Sequence, residues 1–182
     1  MPWDKERFNT LESRILATVA GRRPIVDVPY YVFTYDPGLE LICLREFKDL
    51  HARLRQKGVQ AECFSLAQWM IDTLEGLGCL DESFAASEKS NRKMVAEDLE
   101  RELAQGIVSR LTQTLAGRDV SHCALLIRAG SLFPFVHVST LLSLIEGDVK
   151  STLAIAYPGR QEGQYLYFLN ETKGFYYRAE II

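Results

Sequence analysis

Histidine is scarce in this chain, with three in 182 residues, and the three (His51, His122 and His137) lie far apart in sequence. No HxH or HxxxH spacing and no paired-carboxylate spacing accompanies them, so the pattern offers no metal site. Cysteine is nearly as thin. Cys43, Cys63, Cys79 and Cys123 are scattered without a CxxC step, each in an apolar neighbourhood. Reduced core thiols of a cytoplasmic protein are expected, rather than disulfides or zinc ligands. No apolar run approaches the roughly 18 residues a membrane helix needs. The first 21 residues mix charge with apolar positions, unlike a signal peptide. Excess charge is missing too: the net value of −3 gives no broad pull toward nucleic acid or anionic lipid. The pair Arg22-Arg23 is the densest basic feature near the start, and it reads as a solvated pair in a loop.

Catalytic signatures are also lacking. A phosphate loop needs glycines whose backbone amides close around phosphate, followed by Lys and Ser/Thr. Lys150-Ser151-Thr152 echoes only its end, because Leu144 and Val149 stand where the glycines are required. The first strand ends in Asp36-Pro37-Gly38 rather than in the glycine-rich turn of a dinucleotide fold. A nucleophile requires a positioned base. Ser131 follows a buried strand, with His137 six residues on and His122 at the far end of that strand. Ser131 therefore reads as a turn or capping residue, and His137 as a structural or surface one. The acidic cluster Glu97, Asp98, Glu100 and Glu102, interrupted by Arg101, reads as a solvated helix face. No catalytic, cofactor-binding or metal-ligating residue is expected.

What is present is organisation. Residues 3–20 place Phe8, Leu11, Ile15 and Val19 on one helical face, with Gly21 as a stop. Tyr30 to Tyr35 is a β-branched and aromatic run. Leu41 to Lys57 repeats the helical stripe through Cys43, Phe47, Leu50 and Leu54. Val59 to Phe64 reads as a short strand, and Ser65 to Gln68 has capping-box spacing. The helix it opens is expected to bury Ala67, Met70, Ile71 and Leu74 and to stop near Gly78. Residues 81–92, small, polar and charged, read as an exposed loop. Met94 to Ala116 reads as a long helix on which Gly106 marks a bend or a close helix contact.

His122 to Gly159 then runs strand, Gly-Ser turn, helix, strand, Pro-Gly turn: a βαβ unit with parallel strands. Tyr165 to Leu169 reads as a further strand, Asn170 to Gly174 as a turn, and Phe175 to Ile182 as a final strand or docked tail. The expectation is one three-layer α/β domain over residues 1–182, its central sheet mostly parallel and flanked by helices. Aromatic residues crowd the sheet ends, and tyrosines with arginines suit protein contacts. Tyr157, Pro158, Gly159, Arg160, Tyr176, Tyr177 and Arg178 are the candidate partner interface.

Three blocks, in order, carry a resemblance. These are VPYYVFTYDPGLELICLREFKDLHARLRQKGVQAECFSL, then LLIRAGSLFPFVHVSTLLSLIEG, then AIAYPGRQEGQYLYFLNETKGFYYRAEII. From about Pro29 to Ile182 the chain resembles the BrxB-like family of bacterial BREX phage-defence systems. One departure is that Phe135-Val136-His137-Val138-Ser139 lacks the basic residue the family often has beside its His. The resemblance implies a non-enzymatic adaptor in a multi-protein system that methylates host DNA and blocks phage replication. It implies an alkaline-phosphatase-like component as the direct partner, with a large ATPase and an adenine methyltransferase in the wider assembly. Direct DNA binding is expected to be weak or absent. The alternative is a nucleotide- or DNA-responsive regulatory subunit of the same complex.

Overall fold

The structure is a computed structural model that describes residues 2–24, 28–163, 165–174 and 178–182, with the backbone alone at position 87. Its first helix, α1 (Lys5–Val19), is capped by the Asp4 carboxylate, which accepts from the Arg7 amide at 3.0 Å. Strand β1 (Tyr30–Tyr35) follows, then a short 3₁₀ turn, α2 (Glu40–Gln56) and β2 (Gln60–Ser65). Next come α3 (Leu66–Gly76), α4 (Glu82–Thr114), β3 (His122–Ile127), a second 3₁₀ turn and α5 (Val138–Ile145). The chain closes with β4 (Thr152–Glu162), β5 (Tyr165–Phe168), β6 (Thr172–Lys173) and β7 (Glu180–Ile181).

The strands lie in the order β2-β3-β4-β1-β7, every neighbouring pair parallel. Side chains alternate between the two faces, as period 2 requires. Tyr30, Val32, Ala124, Leu126, Leu153, Ile155 and Tyr157 face α3, α4 and α5. Tyr31, Phe33, Tyr35, Cys123, Leu125, Ala154 and Ala156 face α1 and α2. Burial on both faces is why these strands read as continuous apolar runs rather than as an alternating pattern. The expected three-layer α/β architecture is therefore present, and His122–Gly159 contains its parallel βαβ unit.

Five local expectations change. Residues 82–90 are helical, not a loop, although their described side chains stay exposed apart from the half-buried Phe84. Their Ala, Glu, Lys and Ser content supports a solvated helix, but without a buried face it leaves no periodicity to read. The helix axis is interrupted at Asn91 (φ −139°, ψ 45°). Helix α3 buries Leu66 and Trp69; Met70 and Leu74 are half-buried and Ile71 is exposed. The Ser65 hydroxyl caps it as expected, but the Gln68 amide turns to Asp72 instead of closing the box.

Strand β4 does not turn at Pro158-Gly159. It runs on to Glu162 and pairs antiparallel with β5, which in turn pairs with β6. Arg23 is not merely solvated: it binds the Tyr31 hydroxyl at 3.0 Å and the Glu180 carboxylate at 2.5 Å.

Candidate functional site at the carboxyl edge of the sheet

Beyond Pro158, β4 rises past the end of β1, while β1 sends its chain back toward α2 on the opposite side. A groove of about 980 Å³ opens between them. Its floor is Phe33, Thr34 and Tyr35 at the carboxyl end of β1. Gly159, Arg160 and Gln161 of β4 form one wall, and the first turn of α1 with Trp3 forms the other. Glu180 to Ile182 close the far end. Open parallel sheets bind their ligands at such crevices, outside the carboxyl ends of the strands.

Arg7 holds the parts together. Its guanidinium donates to Thr34 Oγ1 and to the Ile182 carbonyl, each at 2.6 Å, and lies 5.3 Å from the centre of the Phe33 ring. The Ile182 carbonyl also accepts from the Thr34 amide at 3.1 Å, and the Ile182 amide donates to Val32. Glu180 is pinned by Arg14 at 3.4 Å and by Arg23. Its hydrogen bond holds Arg23 above the usual guanidinium pKa, and Tyr31 adds to that.

Two further groove carboxylates are committed to the backbone, Asp4 capping α1 and Asp36 accepting from the Gly38 amide at 2.9 Å, whereas Glu6 binds no backbone amide. Tyr35 donates its hydroxyl to Glu40, and burial, helped by Cys43 and Glu40, pushes the phenol far above its ordinary pKa. It therefore acts as a fixed neutral donor. Burial likewise raises the Cys43 thiol, with Glu40 adding to the effect, so this cysteine is poorly nucleophilic.

Two groove features lack such partners. Trp3 stacks against Phe8 and Phe33 with centroids 5.3 Å apart in each case, yet its buried indole N–H meets no acceptor. An unmade hydrogen bond of this kind costs about 1–3 kcal/mol. The Lys5 ammonium has no carboxylate paired with it among the described residues.

The expected interface residues divide sharply. Tyr157 is fully buried against Phe168, Pro158 is buried over Gly130, and Gly159 is buried beneath the Tyr167 carbonyl. Their side chains have no free surface to offer, because the antiparallel extension folds over the edge formed by Gly130-Ser131 and Pro158-Gly159. Gly130 meets Leu169 as well as Pro158, and Ser131 donates to the Arg128 carbonyl at 2.7 Å.

Arg160 is exposed in the groove wall, bound to Glu162 and to the Asn170 carbonyl at 2.7 Å each, with its guanidinium 5.0 Å from the Tyr167 ring centre. Arg178 pairs with Glu146 on the surface, away from the groove. Tyr176 and Tyr177 lie outside the described residues.

Sequence reading missed one polar cluster. At the amino ends of β2 and β3, His122 stands between Ser151 Oγ (3.3 Å) and Glu62 Oε2 (2.8 Å). Ser151 and His122 are both buried, so no substrate reaches the hydroxyl, and the trio reads as a satisfied core histidine. Only the register pairing Gln60 with His122 brings Glu62 near, and nothing in the local sequence states that register. Among the described residues no group of three or more His, Cys, Asp or Glu could hold a metal ion. No helix among them is long and apolar enough to cross a membrane.

Fold and groove together define a three-layer α/β protein with a recessed site at the carboxyl edge of a parallel sheet. The chain belongs to the BrxB family: the family model described as BREX protein BrxB matches residues 62–182, about two thirds of the chain. That membership makes it a component of BREX phage defence. The match covers the β4 wall and the Glu180–Ile182 end of the groove, whereas α1 and β1 precede it. Comparison with curated proteins gives no match, and neither does comparison with solved structures.

Proposed function

We propose that this protein serves BREX defence as a non-enzymatic adaptor, supporting host DNA methylation and phage restriction through protein contacts. The alkaline-phosphatase-like component is its direct partner, and the ATPase and adenine methyltransferase belong to the wider assembly. The observation that carries this reading is the groove itself. Its carboxylates, Glu6 apart, are spent on helix caps and ion pairs, and its tyrosine is a neutral donor. Its remaining capacity lies in donors, an apolar wall and a strand edge, which are the means of holding a partner. On this reading, contact with DNA is weak and secondary, in keeping with the net charge of −3.

The test is co-expression of the tagged full chain with each BREX component, followed by size-exclusion chromatography. Co-elution with the alkaline-phosphatase-like component in a fixed ratio is expected. Deletion of the gene should abolish both methylation and restriction. Separate elution beside every component would remove the adaptor reading.

A further inference from the structure

The groove contains an unpaired strand edge. A β-strand has two edges, and the upper half of β4, from Gly159 to Glu162, uses one of them for β5. The Leu169 amide donates to the Pro158 carbonyl at 2.8 Å, which fixes the phase of the antiparallel ladder. By its alternation, Arg160 and Glu162 turn their N–H and C=O groups toward β5, and Gly159 and Gln161 turn theirs the other way. That other side is where β1 would run if it continued past its last partner pair, Tyr35 with Pro158. Instead the chain turns away at Asp36, and Gly159 and Gln161 line the groove. Beyond that pair, no strand among the described residues pairs with β4 on that side.

We infer that this edge takes an extended peptide segment of another protein, added as a strand in line with β1, with acidic and aliphatic side chains. The inference rests on the reading of the protein as one that works by contact, and names the surface and its ligand. The backbone pairing would come from the Gln161 N–H and C=O and the Gly159 C=O, since the Gly159 N–H faces the Tyr35 carbonyl in the parallel ladder. The acidic character follows from the buried Trp3 indole N–H, which meets no acceptor, and from the Lys5 ammonium beside it, with Glu6 the groove carboxylate that no cation among the described residues holds. The aliphatic character follows from the apolar surfaces of Trp3, Tyr35 and Leu39. A neighbouring precedent exists in the same fold. Glu180-Ile181-Ile182 is an acidic-aliphatic segment added to the far side of β1, its carboxylate on Arg14 and Arg23 and its last carbonyl on Arg7.

The probe is an acetylated, amidated hexapeptide alternating glutamate and isoleucine, titrated into the ¹⁵N-labelled full chain. Binding should shift the Trp3 indole and Gln161 amide resonances together, and slow exchange of the Gln161 amide at least tenfold. Replacing glutamate by lysine in the peptide should weaken binding at least tenfold, and full backbone N-methylation should abolish it. Gln161→Pro, which removes the edge donor, should lose binding, whereas Gln161→Ala should keep it.

Unchanged Trp3 and Gln161 resonances at millimolar peptide would overturn the inference, as would equal binding of the N-methylated peptide. So would concentration-dependent shifts at Gln161 without peptide, which would place a second copy of the chain on the edge. Co-elution with a BREX component that survives Gln161→Pro would leave the adaptor reading intact and sink this one. Peptide binding without any co-elution would do the reverse.

Discussion

Gly106 of α4 lies against Thr73 of α3 so closely that a β-carbon at 106 would stand 2.5 Å from Thr73 Cγ2. The neighbour cannot easily yield. Threonine is stiff at χ1, and the Thr73 hydroxyl is tied to the Trp69 carbonyl at 2.8 Å. Gly106→Ala would gain about 1 kcal/mol of helix propensity, and the overlap should outweigh it. A net loss of roughly 1–2 kcal/mol is expected in urea unfolding. The double variant Gly106→Ala with Thr73→Ser removes the clashing methyl and should recover most of that loss. No recovery would mean that the glycine serves backbone freedom rather than the α3–α4 contact.

That contact shows how much of the fold the sequence carried. A glycine inside a four-residue apolar repeat announces either a bend or a close approach, and the close approach is what forms. Strand β1 was legible to the residue, and β3 in its place though not at its end, because burial on both faces leaves uninterrupted apolar runs. The first turns of α4 were not, since a helix surrounded by water keeps no apolar stripe. The continuation of β4 through Pro158-Gly159 was hidden for a different reason. The pair normally marks a turn, and only the approach of the Tyr167 carbonyl explains glycine inside a strand. The groove was illegible because Asp4, Thr34, Gln161 and Ile182 are brought together by strand order alone.

Gly159 gives a second prediction. A β-carbon there would lie 2.0 Å from the Tyr167 carbonyl oxygen and 2.9 Å from the Tyr157 ring, at a φ of 157°. The first contact is with backbone, which no rotamer change relieves. Gly159→Ala should therefore cost roughly 3 kcal/mol or more, or detach β5 and β6 from β4. Thermal unfolding combined with amide exchange at Leu166 and Phe168 distinguishes the two, since detachment exposes those amides while the parallel sheet stays protected. Unaltered melting and exchange would show that the ladder is looser at Tyr167 than described.

Arg7 offers a test of how the groove is held. A single nitrogen, Nη2, donates to both Thr34 and the Ile182 carbonyl while the guanidinium plane lies over Phe33, and it is this plane that a compact lysine ammonium does not reproduce. Arg7→Lys should behave nearly like Arg7→Ala, each losing about 1–3 kcal/mol and accelerating exchange of the Thr34 and Ile182 amides. If lysine restored wild-type protection, a charged donor alone would be sufficient and the guanidinium plane over Phe33 would be irrelevant.

Glu12 supplies the pH dependence. Burial tends to raise its pKa, but hydrogen bonds from Arg53 (2.9 Å) and Lys57 (2.8 Å), with their charges, bring it below the ordinary value of 4.5. The folded state therefore binds this proton less readily than the unfolded chain. The resulting stabilisation is complete above the unfolded pKa and disappears as pH falls through the lower folded one. Both cations are partly exposed, which screens the pair, so the contribution at pH 7 should be about 1 kcal/mol. Glu12→Gln should be destabilised by that amount at neutral pH, and the gap from wild type should close as acid carries the pH below the ordinary glutamate range. Urea titrations of both proteins at stepwise pH measure it. A gap that stayed constant into acid would mean that the glutamine loses packing between α1 and α2 rather than an ionised pair.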